Sequence, residues 1–364
     1  GRGRGRRAGR ERAVVAGLTV TGRRISQPST IEDVARVAEV SVATVSRALR
    51  GLPNVAESTR QRIFDVATEL DYSANPQASR LASGRASTVG LLTPLFETYY
   101  SSRVMAGVEE ELARAGLDLL IRAADTPERR VAVTAQMRSL AARIDGLITV
   151  DYFGDAESNR TMVAAGVPVV TVGEAVSGAS SVLIDNVGAA GDACRHLLEL
   201  GHRRVALMTG TLRNGHASPV PQLRVEGYLR ALGDEGIEPD PTLTVDGGFT
   251  IGGGVAAMGR LLDREDPPTA VFVLSDEMGL GALHEMGRRR LLPGADVSII
   301  GFDDHAASRV VGLTTMAQPM TGMGRSAVVE VLRRVASPEA VPVDQTVPVS
   351  LVVRSSTGPA PNAR

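Results

Sequence analysis

The sequence predicts an α/β protein in which an N-terminal three-helix helix-turn-helix headpiece and a hinge helix precede a two-lobed core of parallel sheets covered by helices. Between residues 30 and 72, apolar residues recur at the i, i+3, i+4, i+7 spacing of short amphipathic helices. From residue 89 onward, short apolar runs alternate with helical patterns, as in parallel strands joined by helical crossovers. The 364 residues are too many for one compact core, which also favours a small domain followed by a bilobed one.

Composition narrows the possible functional classes. The chain is 43% hydrophobic but only 3% aromatic, and its basic residues are all arginine. The single cysteine, Cys194, excludes an internal disulfide and is typical of a reducing compartment. The sequence shows neither an apolar run long enough to span a membrane nor the apolar core of a signal peptide. We therefore expect a cytoplasmic protein without a membrane partner.

The net charge of −1 is unevenly divided, with +7 before residue 86 and −8 from there on. Much of the basic excess lies in a Gly/Arg-rich tail at residues 1–29. This tail has no period that would bury a face, so we expect it to be disordered. It is either an accessory phosphate-binding arm or an inert extension, for instance from an overlong start-site assignment.

The headpiece is predicted at residues 30–73. Thr30 with Asp33 is typical of a capping pair, and Ser41 caps a second helix over residues 42–49. Two short helices about three residues apart form a helix-turn-helix, which places its second helix in the DNA major groove. An ordinary three-helix bundle is the alternative. The polar face of the second helix favours DNA binding, and it carries Ala43, Ser46, Arg47 and Arg50.

The string DVAxxAxVSxATVSRAL, from Asp33 to Leu49, resembles the headpiece of the LacI/GalR family of bacterial transcription regulators. Further matches are Thr59–Arg60, Leu70–Tyr72 and Leu81–Gly84. The resemblance implies that Val42, Ala43 and Arg47 face bases, whereas Thr44 and Ser46 hold phosphates; Arg50 could add a phosphate contact. Two departures from the family pattern are Glu39, where glycine is usual in the turn, and Ala56, where a capping serine is usual.

A hinge helix is predicted at residues 74–87, because Asn75 followed by Pro76 is a cap and first-turn pair. The resemblance implies that this segment folds only on operator DNA, that Asn75, Ala78 and Leu81 contact DNA, and that Leu81 wedges into the minor groove. A plain linker is the alternative. If a ligand moved the core lobes so that two hinges no longer paired, the hinge helix would melt and DNA affinity would fall.

The core is predicted at residues 88–360 and resembles the periplasmic-binding-protein-like core of the same family. Its first lobe is expected at about 88–185 plus 317–345, and its second at about 186–316 plus 346–360. Eight strands are predicted: Val89–Leu92, Asp118–Ile121, Gly146–Val150, Val167–Val172, Ser181–Asp185, Arg204–Met208, Ala270–Leu274 and Val297–Gly301. A ligand would bind between the lobes, at the carboxyl ends of the strands.

Polar residues just past strand ends are the candidate effector contacts: Tyr100, Ser101, Arg224, Ser275, Asp303 and Gln318. Arg224 matches the ligand-binding arginine of the family, and Asp303 follows the family-like string VSIIGF. An aspartate and an arginine on opposite sides of a cleft would suit the hydroxyls of a sugar. Sugar stacking would rely on Tyr100, Tyr152, Phe153 or Phe249, because Met320 stands where an aromatic residue is common. Asp276 and Asp304 are expected to cap helices or tie loops instead.

Enzyme chemistry has little support in the sequence. Gly252–Gly254 lacks the spacing of a dinucleotide-binding turn and is better interpreted as a helix start. The five histidines show no metal-ligand spacing, so we expect no catalytic residues, no metal and no cofactor. A free-standing sugar-binding protein would need an export signal and would have no use for the headpiece.

The sequence therefore predicts a sequence-specific DNA-binding transcription regulator. The favoured form is a repressor whose operator affinity is lowered by a sugar-like effector bound between the lobes. The alternative is a regulator activated by a purine-type or protein corepressor. Two headpieces reading a pseudopalindromic operator imply a homodimer, and the C-terminal residues show no heptads for a coiled coil.

Overall fold

A computed structural model of the chain describes residues 29–49, 52–72, 87–94, 98–152, 154–211 and 218–361. The chain divides into two compact units, with the boundary between Ala82 and Ser83. The tail predicted at residues 1–29 and the hinge predicted at 74–87 lie outside the described residues, apart from Ser29 and Ser87.

The described part of the first unit contains three helices, α1 (Ile31–Val37), α2 (Val42–Leu49) and α3 (Glu57–Glu69). Thr30 forms the expected capping box with Asp33, whose backbone N–H donates to the threonine hydroxyl at 3.3 Å. The apolar stripes of the three helices meet in one small core, which consists of Val34, Ala35, Ala38, Val45, Ala48, Ile63, Val66 and Ala67. The helical period of the sequence thus determines which face of each helix is buried in this core and which face stays exposed to bind other molecules.

The two departures in the headpiece have visible consequences. Glu39 adopts a left-handed backbone with φ of 50°, which costs about 1 kcal/mol relative to glycine. Ala56 begins α3 without a side-chain cap. Arg60 ties α3 to the end of α2, because its guanidinium donates to the carbonyl oxygens of Ala48 at 3.0 Å and Leu52 at 2.9 Å.

The second unit contains two six-stranded sheets, one in each lobe. The first sheet has the order β11-β5-β4-β3-β1-β2 and is parallel throughout. The second has the order β12-β10-β9-β8-β6-β7, in which only β12 runs antiparallel to its neighbour. The strands are β1 (Thr88–Thr93), β2 (Asp118–Ala123), β3 (Gly146–Val150), β4 (Val169–Val172), β5 (Ser180–Leu183), β6 (Val205–Thr209), β7 (Thr244–Asp246), β8 (Ala270–Val273), β9 (Ser298–Phe302), β10 (Thr314–Ala317), β11 (Asp344–Thr346) and β12 (Ser350–Val352).

Helices cover the sheets and bury the central strands on both faces. In β1, Leu91 packs into one apolar cluster of the first lobe and Leu92 into another. The helices of this unit are α4 (Tyr99–Arg114), α5 (Pro127–Ala135), α6 (Met137–Ala141), α7 (Ala156–Val163), α8 (Asn186–Glu199), α9 (Val220–Asp234), α10 (Ile251–Leu262), α11 (Asp276–Arg288), α12 (Ser308–Val311) and α13 (Met320–Ala336). None of the helices in the described ranges combines the length and the apolar character needed to cross a membrane.

The chain passes between the lobes three times, after β5, after β10 and after β11. The segment before Gln318 forms strand β10 of the second sheet, and the crossover to the first lobe follows it. Among the described strands, β7, β10, β11 and β12 were not predicted from the sequence; β7, β11 and β12 have only three residues each, too few to show a period. Gly252–Gly254 lie in the first turn of α10, in agreement with the predicted helix start.

Candidate functional site

Helix α2 presents one exposed face. Val42, Ala43 and Arg47 are exposed, whereas Val45 and Ala48 are buried in the headpiece core. The first turn of α2 contains no acidic residue, so its N-terminus can approach a phosphate without repulsion. This face offers two apolar side chains and one guanidinium, a combination that can contact a thymine methyl and a guanine edge.

The remaining predicted DNA contacts are less accessible or undescribed. Thr44 is half-buried, and its hydroxyl shares a 2.8 Å hydrogen bond with Ser41, whose Oγ also accepts from the Thr44 backbone N–H. Ser46 is half-buried as well. The other predicted contacts lie outside the described residues, namely Arg50, Asn75, Ala78 and Leu81.

A cleft lies between the two lobes of the core and encloses about 740 Å³, including space open to solvent. Polar residues reach it from the segments that follow β3, β8, β9 and β10, as expected for the carboxyl ends of parallel strands. Its described lining consists of Thr98, Tyr100, Asp151, Gly173, Ile184, Asn186, Ser218, Val220, Pro221, Arg224, Phe249, Ser275, Glu277, Asp303, Gln318 and Met323.

Arg224, on α9, is 6% exposed and rigidly held. Its Nε donates to Asn186 Oδ1 at 2.9 Å, its Nη1 donates to the carbonyl oxygen of Leu274 at 2.6 Å, and its guanidinium carbon lies 3.6 Å from the ring centroid of Phe302. Burial lowers the pKa of Arg224, and the nearby Asp303 acts in the opposite direction. Arg224 and Asp303 both belong to the second lobe. The two side chains therefore lie on the same wall of the cleft, within the residues predicted for the second lobe, and do not face each other across it.

Asp303 directly follows β9 and adopts a φ of 123°, a backbone strain of about 1–3 kcal/mol. Gln318 Nε2 donates to Asp303 Oδ1 at 2.6 Å. Burial raises the pKa of Asp303 to about 8, although the charge of Arg224 lowers it. The second lobe thus holds an aspartate, a glutamine and an arginine in fixed positions at the cleft.

The first lobe contributes Asp151 and Tyr100. Burial raises the pKa of Asp151 to about 7, and the carboxylate of Glu174 raises it further. Burial also raises the pKa of Tyr100 well above its ordinary value. Gly173, with φ of 95°, packs so closely that an added Cβ would overlap Asp151 Oδ1. The first-lobe wall is consequently acidic, partly protonated near neutral pH and tightly packed.

Five of the six predicted effector contacts line the cleft, and Ser101 does not. Ser101 is fully buried in the first turn of α4, where its hydroxyl accepts from Thr98 Oγ1 at 3.0 Å. Ser275 lines the cleft and also caps α11, since its Oγ accepts from the backbone N–H of Met278 at 3.4 Å.

Asp276 is a structural residue, as expected. Its carboxylate accepts from the backbone N–H of His305 at 2.8 Å and from the hydroxyls of Ser308 and Thr315, each at 2.7 Å. This network fixes the loop that follows Asp303. Asp304 is likewise occupied, because Arg354 donates to its carboxylate at 2.5 Å.

Of the proposed stacking residues, Tyr100 and Phe249 line the cleft. Tyr152 and Met320 are buried in first-lobe cores instead, and Phe153 lies outside the described residues. Aromatic contact in the described part of the cleft therefore comes from one side chain of each lobe.

The sequence reasoning missed several cleft residues, of which Asp151, Asn186 and Glu277 carry the most polar side chains. Each of these three stands at the carboxyl end of a strand or in the first turn of the helix after it, so the signal used for the other candidates could have found them. His202 is structural, because its ring nitrogens lie 3.0 Å from the hydroxyls of Thr269 and Ser298. Within the described ranges, no group of three or more His, Cys, Asp or Glu side chains could hold a metal ion.

Comparison with known proteins identifies the family. A model described as "Bacterial regulatory proteins, lacI family" matches residues 30–75, and one for a "Periplasmic binding protein-like domain" matches residues 194–357. Catabolite control protein A of Priestia megaterium is 34% identical over 302 residues, which cover 81% of this chain and 89% of that protein. The transcriptional repressor CytR of Escherichia coli (strain K12) is 32% identical over 341 residues, covering 92% and 97%. The chain belongs to the LacI family.

Solved structures of LacI family regulators share both units. The Lac repressor dimer bound to operator and the anti-inducer ONPF has a TM-score of 0.80 and 28% identity, covering 91% of this chain and all of that one. The transcriptional regulator CelR in complex with cellobiose has a TM-score of 0.64 and 31% identity, covering 90% and 99%. As a LacI family member, this protein is a DNA-binding transcriptional regulator.

Proposed function

We propose that this LacI family regulator is a cytoplasmic repressor that binds a pseudopalindromic operator as a homodimer and is released by a sugar-like effector. The observation that carries the proposal is the convergence of polar side chains on the cleft from both lobes. Arg224 and Asp303 come from the second lobe, whereas Tyr100 and Asp151 come from the first. A ligand that contacts both walls would bias their relative position, which is sufficient for an allosteric switch.

In this proposal the exposed face of α2 reads the operator. Arg47 donates to a base edge, Val42 and Ala43 contact a thymine methyl, and Thr44 and Ser46 bind phosphates. Arg50 adds a phosphate contact. In the hinge, Asn75 and Ala78 contact DNA and Leu81 enters the minor groove.

The chemistry of the cleft favours an uncharged polyol. Among the described lining residues, the carboxyl groups of Asp151, Glu277 and Asp303 outnumber the single guanidinium of Arg224. An anionic ligand would find a single guanidinium to pair with, whereas sugar hydroxyls hydrogen-bond to carboxyl groups in either protonation state and also accept from arginine or glutamine. Tyr100 and Phe249 supply apolar surface for the face of a sugar ring. The solved complex of CelR with cellobiose supports this ligand class.

The alternative within the family is corepression, in which a purine-type molecule or a partner protein strengthens operator binding. A ligand bound in the same cleft would then stabilise the DNA-binding arrangement of the lobes instead of destabilising it. A sugar-binding protein without a DNA role is disfavoured by the headpiece match at residues 30–75. The proposal assigns no catalytic activity, because the similar proteins are transcription regulators.

The test is selection of operators from a random DNA pool by the full chain, repeated with a panel of sugars and purines in the buffer. We expect one palindromic site, released by one sugar. A palindrome bound more tightly with a ligand would replace repression by corepression. If the parent chain enriched no site while a LacI family control did, the assignment of α2 as the DNA-binding helix would be contradicted.

A further inference from the structure

One side chain crosses the cleft and bonds to the opposite lobe. Tyr99 begins α4 in the first lobe, and its hydroxyl accepts a hydrogen bond from the backbone N–H of Ala306 at 3.1 Å. Ala306 lies in the loop after β9, in the second lobe. The ring of Tyr99 also packs on the imidazole of His305, with the ring centroids 4.0 Å apart and the planes at 43°.

Glu277, in the first turn of α11, lies near the same tyrosine. Burial raises the pKa of its carboxyl group, and the nearby backbone N–H of Tyr99 acts in the opposite direction. The second lobe therefore holds Tyr99 at its hydroxyl and its ring.

The loop that receives Tyr99 is itself rigid. Nδ1 of His305 accepts from the backbone N–H of Ala307 at 3.0 Å, which fixes the orientation of the imidazole ring. The backbone N–H of His305 donates to the buried carboxylate of Asp276 at 2.8 Å. A hydrogen bond to a loop held in this way is made without ordering a flexible partner, so little of its free energy is lost to entropy.

Tyr99 is adjacent to the effector contacts but is not one of them. Its neighbour Tyr100 lines the cleft, as do Glu277 and Asp303, whereas Tyr99 is absent from the described lining. The contacts of Tyr99 are consequently made between the two walls and exist only while those walls are close together.

We infer that Tyr99 is a latch, a positioning residue that holds the two lobes of the core closed over the cleft. The inference rests on the proposed function, in which the cleft binds the effector. The apparent affinity of a ligand falls with the fraction of molecules in the binding-competent state. Loss of the Tyr99 hydroxyl bond should raise the ratio of open to closed molecules by about 2- to 10-fold and weaken effector binding by up to the same factor.

The lobe separation can be measured without any effector. Spin labels on Glu128→Cys, at the start of α5, and Val310→Cys, in α12, would report the distance between the lobes by double electron–electron resonance. Both positions are exposed, and Val310 is 87% exposed. The native Cys194 is buried, and burial raises the pKa of its thiol to about 12, which keeps it largely unlabelled.

The variants are Tyr99→Phe, which removes only the hydroxyl, and Tyr99→Leu, which also removes the ring contact. The matched control is Tyr228→Phe, because the hydroxyl of Tyr228 donates to the carbonyl oxygen of Val205 at 2.9 Å within the second lobe alone. Both phenylalanine variants lose one hydroxyl–backbone bond, but only one of those bonds joins the lobes.

We expect Tyr99→Phe to add a longer-distance population, Tyr99→Leu to enlarge it, and Tyr228→Phe to keep the parent distribution. Equal distributions for Tyr99→Phe, Tyr99→Leu and the parent would overturn the latch. A shift of the same size in Tyr228→Phe would also overturn it, since the effect would then be a general loss of stability. The proposed sugar response is tested separately by operator release, so failure of one does not imply failure of the other.

Discussion

The two functional surfaces of this regulator are built in opposite ways. The candidate DNA-binding surface is one face of α2, where Val42, Ala43 and Arg47 are consecutive or one turn apart and are exposed. The effector cleft draws its side chains from positions between 98 and 323, and Arg224, Asp303 and Gln318 are at most 6% exposed and bonded to one another or to neighbours.

This difference determines how each surface should respond to substitution. Side chains on the exposed helix can be removed without leaving a buried group unpaired, so losses there should be confined to DNA binding. In the cleft, removal of one partner leaves another buried and unsatisfied, so ligand binding and stability should change together. Four predictions test this difference between the two surfaces.

The largest effect is expected for Asp303→Ala. This change removes the acceptor for Gln318 and leaves the buried Arg224 without its nearby carboxyl group. A buried donor left without its acceptor costs about 1–3 kcal/mol, and more beside a charged group, and the contact of Asp303 with the effector is lost in addition. Release from operator by the sugar found in the selection experiment should therefore disappear, while effector-free operator affinity is unchanged.

Ser101→Ala is the matched control for Asp303→Ala. Ser101 is buried near the cleft but does not line it, so the variant should keep its response to the sugar. An undiminished response in Asp303→Ala would place the effector site elsewhere. Loss of the response in both variants would point to a general loss of core stability instead of a direct contact between Asp303 and the effector.

The second prediction concerns Arg47→Ala on the exposed helix. Loss of a bidentate base contact should cost about 1–3 kcal/mol of operator affinity and relax the preference at one base position. Arg62→Ala, at an exposed position of α3, is the control and should keep that preference. Binding to a set of single-base operator variants measures both. A uniform loss across all variants would show that Arg47 contacts only phosphate. Thermal unfolding of the headpiece should be unchanged.

The same contrast explains what could be predicted from the sequence. The buried and exposed faces of α2 follow from a period of 3.6 residues, which is local information. The cleft depends on which strand ends meet, and short strands such as β11 carry no period. Asp151 and Glu277 stand at the same kind of strand end as the residues that were named, and Ser101, which was named, is buried and does not line the cleft. Which of these side chains face the cleft depends on packing between distant segments, and this is not local information.

The third prediction compares two glycines with similar backbones. Gly173 and Gly166 have φ of 95° and 91°, but an added Cβ would overlap Asp151 at Gly173 and would meet nothing at Gly166. Alanine at either position is destabilised by the left-handed backbone. Only Gly173→Ala also overpacks its surroundings, which costs about 1–2 kcal/mol of stability. We expect Gly173→Ala to unfold at lower urea concentration than Gly166→Ala and to bind the sugar more weakly. Equal urea midpoints for the two variants would show that the first-lobe wall shifts to accommodate the added methyl group.

The last prediction concerns pH, whose effect on stability has opposite signs in the two units. In the core, Asp151 and Asp303 have folded-state pKa values of about 7 and about 8, above the ordinary 3.8. The folded state therefore keeps protons that the unfolded chain has released, and this contribution to stability is lost as the pH rises through 7 and 8. In the headpiece, bonds from Arg36 and Thr30 lower the pKa of Asp33 to about 2. Its contribution is present above pH 4 and is lost as the pH falls toward 2.

Urea unfolding of the full chain, followed by circular dichroism because the chain has no tryptophan, measures this difference. Between pH 5 and 8, the free energy of unfolding of the core should fall with rising pH, and the fall should be smaller in Asp151→Asn/Asp303→Asn. Asp33→Asn should leave that slope unchanged and reduce the loss of headpiece stability below pH 4. If the double variant kept the parent slope, the two cleft carboxyls would be ionised throughout this range. The acidic wall would then carry its full charge before any ligand binds, and a cationic group on the effector would become the better fit.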